Sequence, residues 1–264
     1  MRRVATAAAI IALLLTVLRL PWQAFALLMG LVLLMAWREY DRLLRPLGAI
    51  PASAAGALMA LGCALSFASS RPGAPLLWLL AAVLVATVAS LRKGYSDPEK
   101  FVGTLAATVC GIVWLGLAPG AHIGLRRLPE GETWLLFVYA AVAVGDSAAL
   151  YGGRAFGRRK LAPFLSPNKT IEGTVSGIVG SAAAGYVVGM WLASVNDLQA
   201  IGLGVLLGAT GQVGDLMESA LKRAAGVKDS STLLPGHGGV LDRVDSHLPA
   251  GAVLYLILTA GWLA

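Results

Sequence analysis

Asp215, Ser219 and Lys222 fall at i, i+4 and i+7, so on a helix a carboxylate, a hydroxyl and an ammonium share one stripe. Arg223, Lys228, Asp229, His237, Asp242, Arg243 and Asp245 follow within one stretch of a chain that is only 13% charged in all. Asp242 and Asp245, three apart, can share a helix face as well. Gly236-His237-Gly238-Gly239 lets backbone come close to a ligand. Carboxylates bracketing cations beside such a segment suit a divalent ion holding a phosphate chain. A plain salt-bridge network would need neither the glycine-rich histidine segment nor Asp215.

A second group lies upstream. Asp146 sits late in the apolar run AVAVGDSAALYGGR. A carboxylate in hydrocarbon costs about 2.5–3.5 kcal/mol on insertion scales, so it is expected to face a polar cavity. Gly152-Gly153 reads as a helix end, and Arg154, Arg158, Arg159 and Lys160 as a basic loop. Ser166 to Thr170 reads as a turn, with Thr170 capping the next helix. Lys169 then stands at a helix N-terminus, where backbone N–H groups favour an anion, and is a candidate phosphate contact.

The elements that must position these residues are set by the solvent. The chain is 57% hydrophobic over 264 residues, whereas a soluble domain carries about a quarter charged residues. The expected fold class is an all-α polytopic membrane protein. About nine apolar runs approach spanning length, near 4–18, 22–37, 50–69, 75–91, 101–118, 133–151, 172–193, 198–218 and 247–263. The first two are split only by Arg19-Leu20-Pro21, as a tight hairpin or one kinked segment. The N-terminus also imitates a signal peptide, with Ala24-Phe25-Ala26 as the A-x-A site, but the apolar run continues past it.

Nine spans with the N-terminus inside put seventeen of the 21 Lys and Arg on one side and four on the other. That bias predicts N-in, C-out topology, with the polar loops 152–171 and 219–246 and an active-site cleft on the cytoplasmic face of the inner membrane. Residues 1–130 are expected to be membrane-spanning helices, with dimerisation as a further role, and 131–264 the catalytic region. The net charge of +7 is read as basic loops, with no nucleic-acid partner. Cys63 and Cys110 lie in apolar runs and are expected to be small core residues.

The run from Ser219 through Leu221-Lys222-Arg223, Lys228-Asp229, Ser231, Leu234-Pro235, His237-Gly238-Gly239-Val240 and Asp242-Arg243-Val244-Asp245 resembles the signature of phosphatidate cytidylyltransferases over 27 residues without a gap. Asp146-Ser147, Gly153-Arg154-x-Phe156-Gly157 and Ser166 to Gly173 are similar to that family too, so the resemblance covers roughly 140–246. Leu150 departs from it, standing where an aromatic residue is expected, and Tyr151 follows. The resemblance implies cytidylyl transfer from CTP to phosphatidate, a homodimer in the bilayer, and Mg²⁺, with K⁺ as a neighbour, held by Asp215 and Asp242. It implies phosphate contacts from Lys222, Arg223, Lys228 and Arg243. The candidate catalytic set is then Asp215, Lys222, Lys228, Asp229, His237 and Asp242. Candidate substrate contacts are Asp146, Lys169, Ser219, Arg223, Gly238, Gly239, Arg243 and Asp245. Three other readings compete: a CTP-using enzyme of another lipid, an ion or proton transporter with Asp146 and Asp215 as its relay, and a structural membrane protein, which would leave the charged cluster unexplained.

Overall fold

A computed structural model describes residues 16–48, 53–71, 73–92, 97–233 and 238–263. His237, Gly236, the basic residues Arg2, Arg3 and Lys93, and most of the 4–18 run lie outside the described residues. Among the described residues, five helices are long and apolar enough to cross a membrane: α3 (Ala74–Leu91), α4 (Pro98–Arg127), α5 (Gly131–Phe156), α6 (Ile171–Gly189) and α7 (Asp197–Ala224). Each overlaps an apolar run read from the sequence. Two apolar helices are shorter, α2 (Ser53–Ser66) and α9 (His247–Thr259). α1 (Trp22–Leu44) carries Arg38, Glu39, Asp41 and Arg42 in its final turns. The chain breaks at Arg19 to Pro21, ahead of α1, and the A-x-A site lies inside that helix with Phe25 buried.

The helix boundaries follow from local chemistry. Asp97 caps α4 by accepting from Glu99 N, and Asn196 and Gln199 form a reciprocal capping box on α7. α4 contains a π-turn at Val113–Leu117 and continues through Pro119. α3 turns Leu76, Leu77, Leu80, Leu84, Val88 and Leu91 outward. Such a surface suits lipid and would be costly against water. Cys63 is buried, but Cys110 is not the core residue expected: it shares an outward stripe of α4 with Ala106 and Val113, where a small apolar thiol meets lipid at no cost.

α5, α6 and α7 pack side by side, and α9 lies against α7 and the last third of α4. The contacts are close because small residues line them. A side chain on Gly204 of α7 would collide with the Ser181 and Ala182 backbone of α6. Glycine also explains why Gly152-Gly153 does not end α5, as its sequence suggested. The helix runs on to Phe156, and Gly152 is pressed against Ser176 of α6, so its lack of a side chain serves packing.

One departure from all-α structure is small. β1 (Lys160–Ala162) pairs antiparallel with β2 (Ser166–Thr170), so the segment expected to be a turn is a strand, and residues 163–165 make the turn. Thr170 does cap α6, accepting from Gly173 N at 3.1 Å. The Arg158 and Arg159 backbone N–H groups bond to the Glu172 carboxylate, which fastens the hairpin to the first turn of α6. At the opposite ends of the helices, Arg127 donates to Phe67 O and lies 5.0 Å from the Trp22 ring, and Glu130 binds Ala193 N and Ser194.

Candidate active site

α5, β2, α6 and α7 enclose a cavity of about 630 Å³, within the ~300–1,000 Å³ usual for small-molecule sites. Asp146, Arg154, Asn168, Lys169, Gln212 and Asp215 supply its polar lining. Three sequence-expected residues therefore meet here from three elements. Lys169 Nζ is 2.7 Å from Asp215 Oδ2, with both side chains partly open to solvent, 23% and 32% exposed. Ser219 Oγ donates to Asp215 Oδ1 at 3.3 Å, as the helical stripe requires. Gln212 holds the far side by donating to Thr174 O at 3.1 Å. Asp146 lies in the electrostatic field of Asp215, Lys169 and Arg243. Leu150, the departure from the family pattern, lines the apolar part of the cavity.

One turn further along α7 the charges become buried. Lys222 Nζ sits 2.5 Å from Glu218 Oε2 and 2.5 Å from Asp242 Oδ1. Asp242 lies in the short helix α8 (Leu241–Val244), and its Oδ2 accepts from Ser230 N, Ser230 Oγ and Gly239 N at 2.9, 2.7 and 2.8 Å. Burial pushes the Asp242 carboxyl up, but the Lys222, Gly239 and Ser230 donors outweigh it and hold it below the usual carboxylate range. Gly238 has φ of +82°, and a side chain there would meet the Asp242 carboxylate. Asp245 caps the end of α8, its Oδ1 accepting from Ser246 N at 2.7 Å. Burial and the neighbouring Asp215 carboxylate raise Asp245 to about 7.

Other expected residues lie apart from the cavity. Arg223 donates to Leu165 O and Val227 O, tying the hairpin turn to the loop after α7. Lys228 and Asp229 are exposed on that loop. Arg243 is exposed on α8 within electrostatic reach of Asp146.

Three residues escaped sequence reasoning. Glu218 is 1% exposed and Ser230 is buried; the first could have been found as the i−4 partner of Lys222. Glu39 of α1, 2% exposed, accepts bonds from Ser230, Ser231, Val240 and Leu241. Nothing marked it out, because a charged residue at the end of an apolar run is commonplace.

The donor set fits a hard cation. No compact cluster of three or more His, Cys, Asp or Glu forms a closed metal site among the described residues. Four carboxylates, Asp215, Glu218, Asp242 and Asp245, gather around Lys169 and Lys222. The oxygen donors among the described residues are of the kind that suits a hard cation such as Mg²⁺.

Several known proteins are similar to this chain. The chain is 48% identical over 128 residues to a phosphatidate cytidylyltransferase of Brucella suis, covering 48% of this chain and 47% of the relative. It is 37% identical over 191 residues to a phosphatidate cytidylyltransferase of Bacillus subtilis, covering 68% of this chain and 66% of the relative. It is also 37% identical over 184 residues to the Escherichia coli protein YnbB, covering 68% of this chain and 61% of the relative. The matches span about half to two thirds of the length of these relatives. The model of the cytidylyltransferase family matches residues 1–260, nearly the whole chain, and with its buried carboxylate and lysine cluster beside a polar cavity the protein belongs to that family.

Proposed function

We propose that the chain transfers a cytidylyl group from CTP to phosphatidate, giving CDP-diacylglycerol and pyrophosphate. The observation that carries this reading is the Lys169–Asp215 pair in the cavity wall. Each partner is partly exposed, so the pair is exchangeable: a phosphate can take Lys169 and a cation can take Asp215. A purely structural ion pair would be closed to solvent on both sides.

A phosphate oxygen of phosphatidate attacks the α-phosphorus of CTP, the bond to the β-phosphate oxygen breaks, and pyrophosphate leaves with its electron pair. The attacking oxygen is already anionic, so no strong base is required, and the difficulty is bringing two polyanions together. Lys169, Lys222, Arg243 and the loop cation Lys228 offset that charge. Arg223 contributes in part by holding the hairpin turn in place. Asp146 forms the cavity wall facing the headgroup, and Gly238 and Gly239 keep the backbone beside Asp242 low.

Asp215 and Asp242 would hold Mg²⁺, with K⁺ as a second cation. When bound, the ion neutralises and aligns the triphosphate. The bilayer holds the lipid tails, CTP arrives from the cytoplasm at the inner membrane, and the molecule works as a homodimer.

The test is Asp215→Asn. The amide keeps the shape of the side chain but loses the charge that balances Lys169 and attracts a cation. CTP-dependent lipid synthesis is expected to fall by about 100-fold or more, and near-wild-type rates overturn the assignment.

A further inference from the structure

Glu39 stands far in sequence from every other residue of the site, on a helix of the region that sequence reasoning assigned to membrane spanning and dimerisation. Its Oε1 accepts from Ser231 Oγ at 2.6 Å and Val240 N at 3.0 Å. Its Oε2 accepts from Leu241 N at 2.7 Å and Ser230 Oγ at 3.1 Å. It forms no ion pair with Lys or Arg among the described residues, so neutral donors compensate its charge. Those donors come from both ends of the segment that carries Gly238, Gly239 and Asp242. One residue thus ties Ser230 and Ser231 to Val240 and Leu241 against α1.

The staple is shared with Asp242. Ser230 has one hydroxyl proton, and both Glu39 and Asp242 lie within its reach. Gly239 also belongs to the device: a side chain there would run into Ser230 Oγ and the Glu39 carboxylate, so only glycine lets this backbone pass between the two acids. Loss of Glu39 would free Ser230, Val240 and Leu241 together, and with them the donors that fix Asp242 against Lys222.

We propose that Glu39 is a positioning residue for cytidylyl transfer, fixing Ser230, Ser231, Val240 and Leu241 so that Asp242 and its partner Lys222 face the CTP phosphates. The proposal rests on the activity put forward above. It makes the N-terminal helix part of the catalytic apparatus without contact to either substrate.

The experiment uses the purified full chain with Glu39→Gln and Glu39→Asp variants. An amide has the same size, but it turns an NH₂ toward Val240 N or Leu241 N, so at least one backbone bond is lost. For Glu39→Gln, KM for CTP is expected to rise about 10-fold or more and kcat to fall, with KM for phosphatidate unchanged. Hydrogen–deuterium exchange over 238–245 is expected to speed up. Glu39→Asp, which keeps all four acceptor sites on a shorter stem, is expected to recover part of the loss.

A role in folding alone would lower the yield of active enzyme and leave KM for CTP as it was, and that result overturns the proposal. So does a Glu39→Gln protein with wild-type kinetics and exchange. Should Glu39→Gln fail to fold, Ser231→Ala removes one arm of the staple. A several-fold rise in KM for CTP then supports the proposal, and no change overturns it. If the wild-type chain shows no phosphatidate-dependent turnover, the activity reading fails on its own, and the exchange measurement still decides whether Glu39 holds the segment.

Discussion

Lys222 is where the two halves of the charged segment meet, since it reaches Glu218 on its own helix and Asp242 on another. Asp242→Asn leaves a buried ammonium with one partner and turns an NH₂ toward Ser230 or Gly239 donors. Breaking a buried pair in this way costs about 3–5 kcal/mol, so a large drop in the unfolding midpoint is expected, and an unchanged midpoint contradicts the pairing. Asp245 gives a pH signature. In the folded chain it holds its proton up to about pH 7, whereas an unfolded aspartate loses its proton near pH ~4. The folded state thus binds more protons in that window, and metal-free protein loses stability as pH rises through it, then levels off. Asp245→Asn removes the loss. In chelator its midpoint is expected to exceed wild type at pH ~8 and to converge with it near pH ~4; equal midpoints at the higher pH contradict the buried, acid-facing environment. The Asp215, Ser219 and Lys222 stripe was legible because helix periodicity alone fixes it. Glu39 was not, because its partners lie about two hundred positions away in the chain and no local pattern links them.

At the scale of elements, the helices that form the cavity owe their closeness to small residues. Gly204→Leu would drive a side chain into the α6 backbone at Ser181, and loss of folded protein in detergent is expected. Thr170→Ala removes the cap of α6, whose donor is Gly173 N, and is expected to cost about 1 kcal/mol, read as a modest fall in the unfolding midpoint. A midpoint at wild type would show that the cap contributes nothing. The apolar runs that became α3 to α7 could be read from composition and length. The 160–170 hairpin could not, because its strands are short, polar and joined by Pro163-Phe164-Leu165. The end of α5 was misread for a related reason: paired glycines punctuate a soluble chain, but between packed membrane helices they serve contact instead.

For the whole molecule, the excess of Lys and Arg on one set of loops predicts that the hairpin and the loop after α7 face the cytoplasm. Phe164, 93% exposed at the hairpin turn, offers a site to check this. In a chain with Cys63 and Cys110 replaced by alanine, Phe164→Cys is expected to react with an impermeant maleimide in inverted vesicles and not in intact spheroplasts. Labelling of the opposite pattern would reverse the topology and put the cavity on the wrong side for CTP. The central claim is tested most directly by supplying the purified chain with CTP, Mg²⁺ and phosphatidate in mixed micelles and counting products. The account predicts pyrophosphate and CDP-diacylglycerol in equal amounts, with neither formed when phosphatidate is left out. Pyrophosphate release that ignores the lipid, or none with it, would contradict the account.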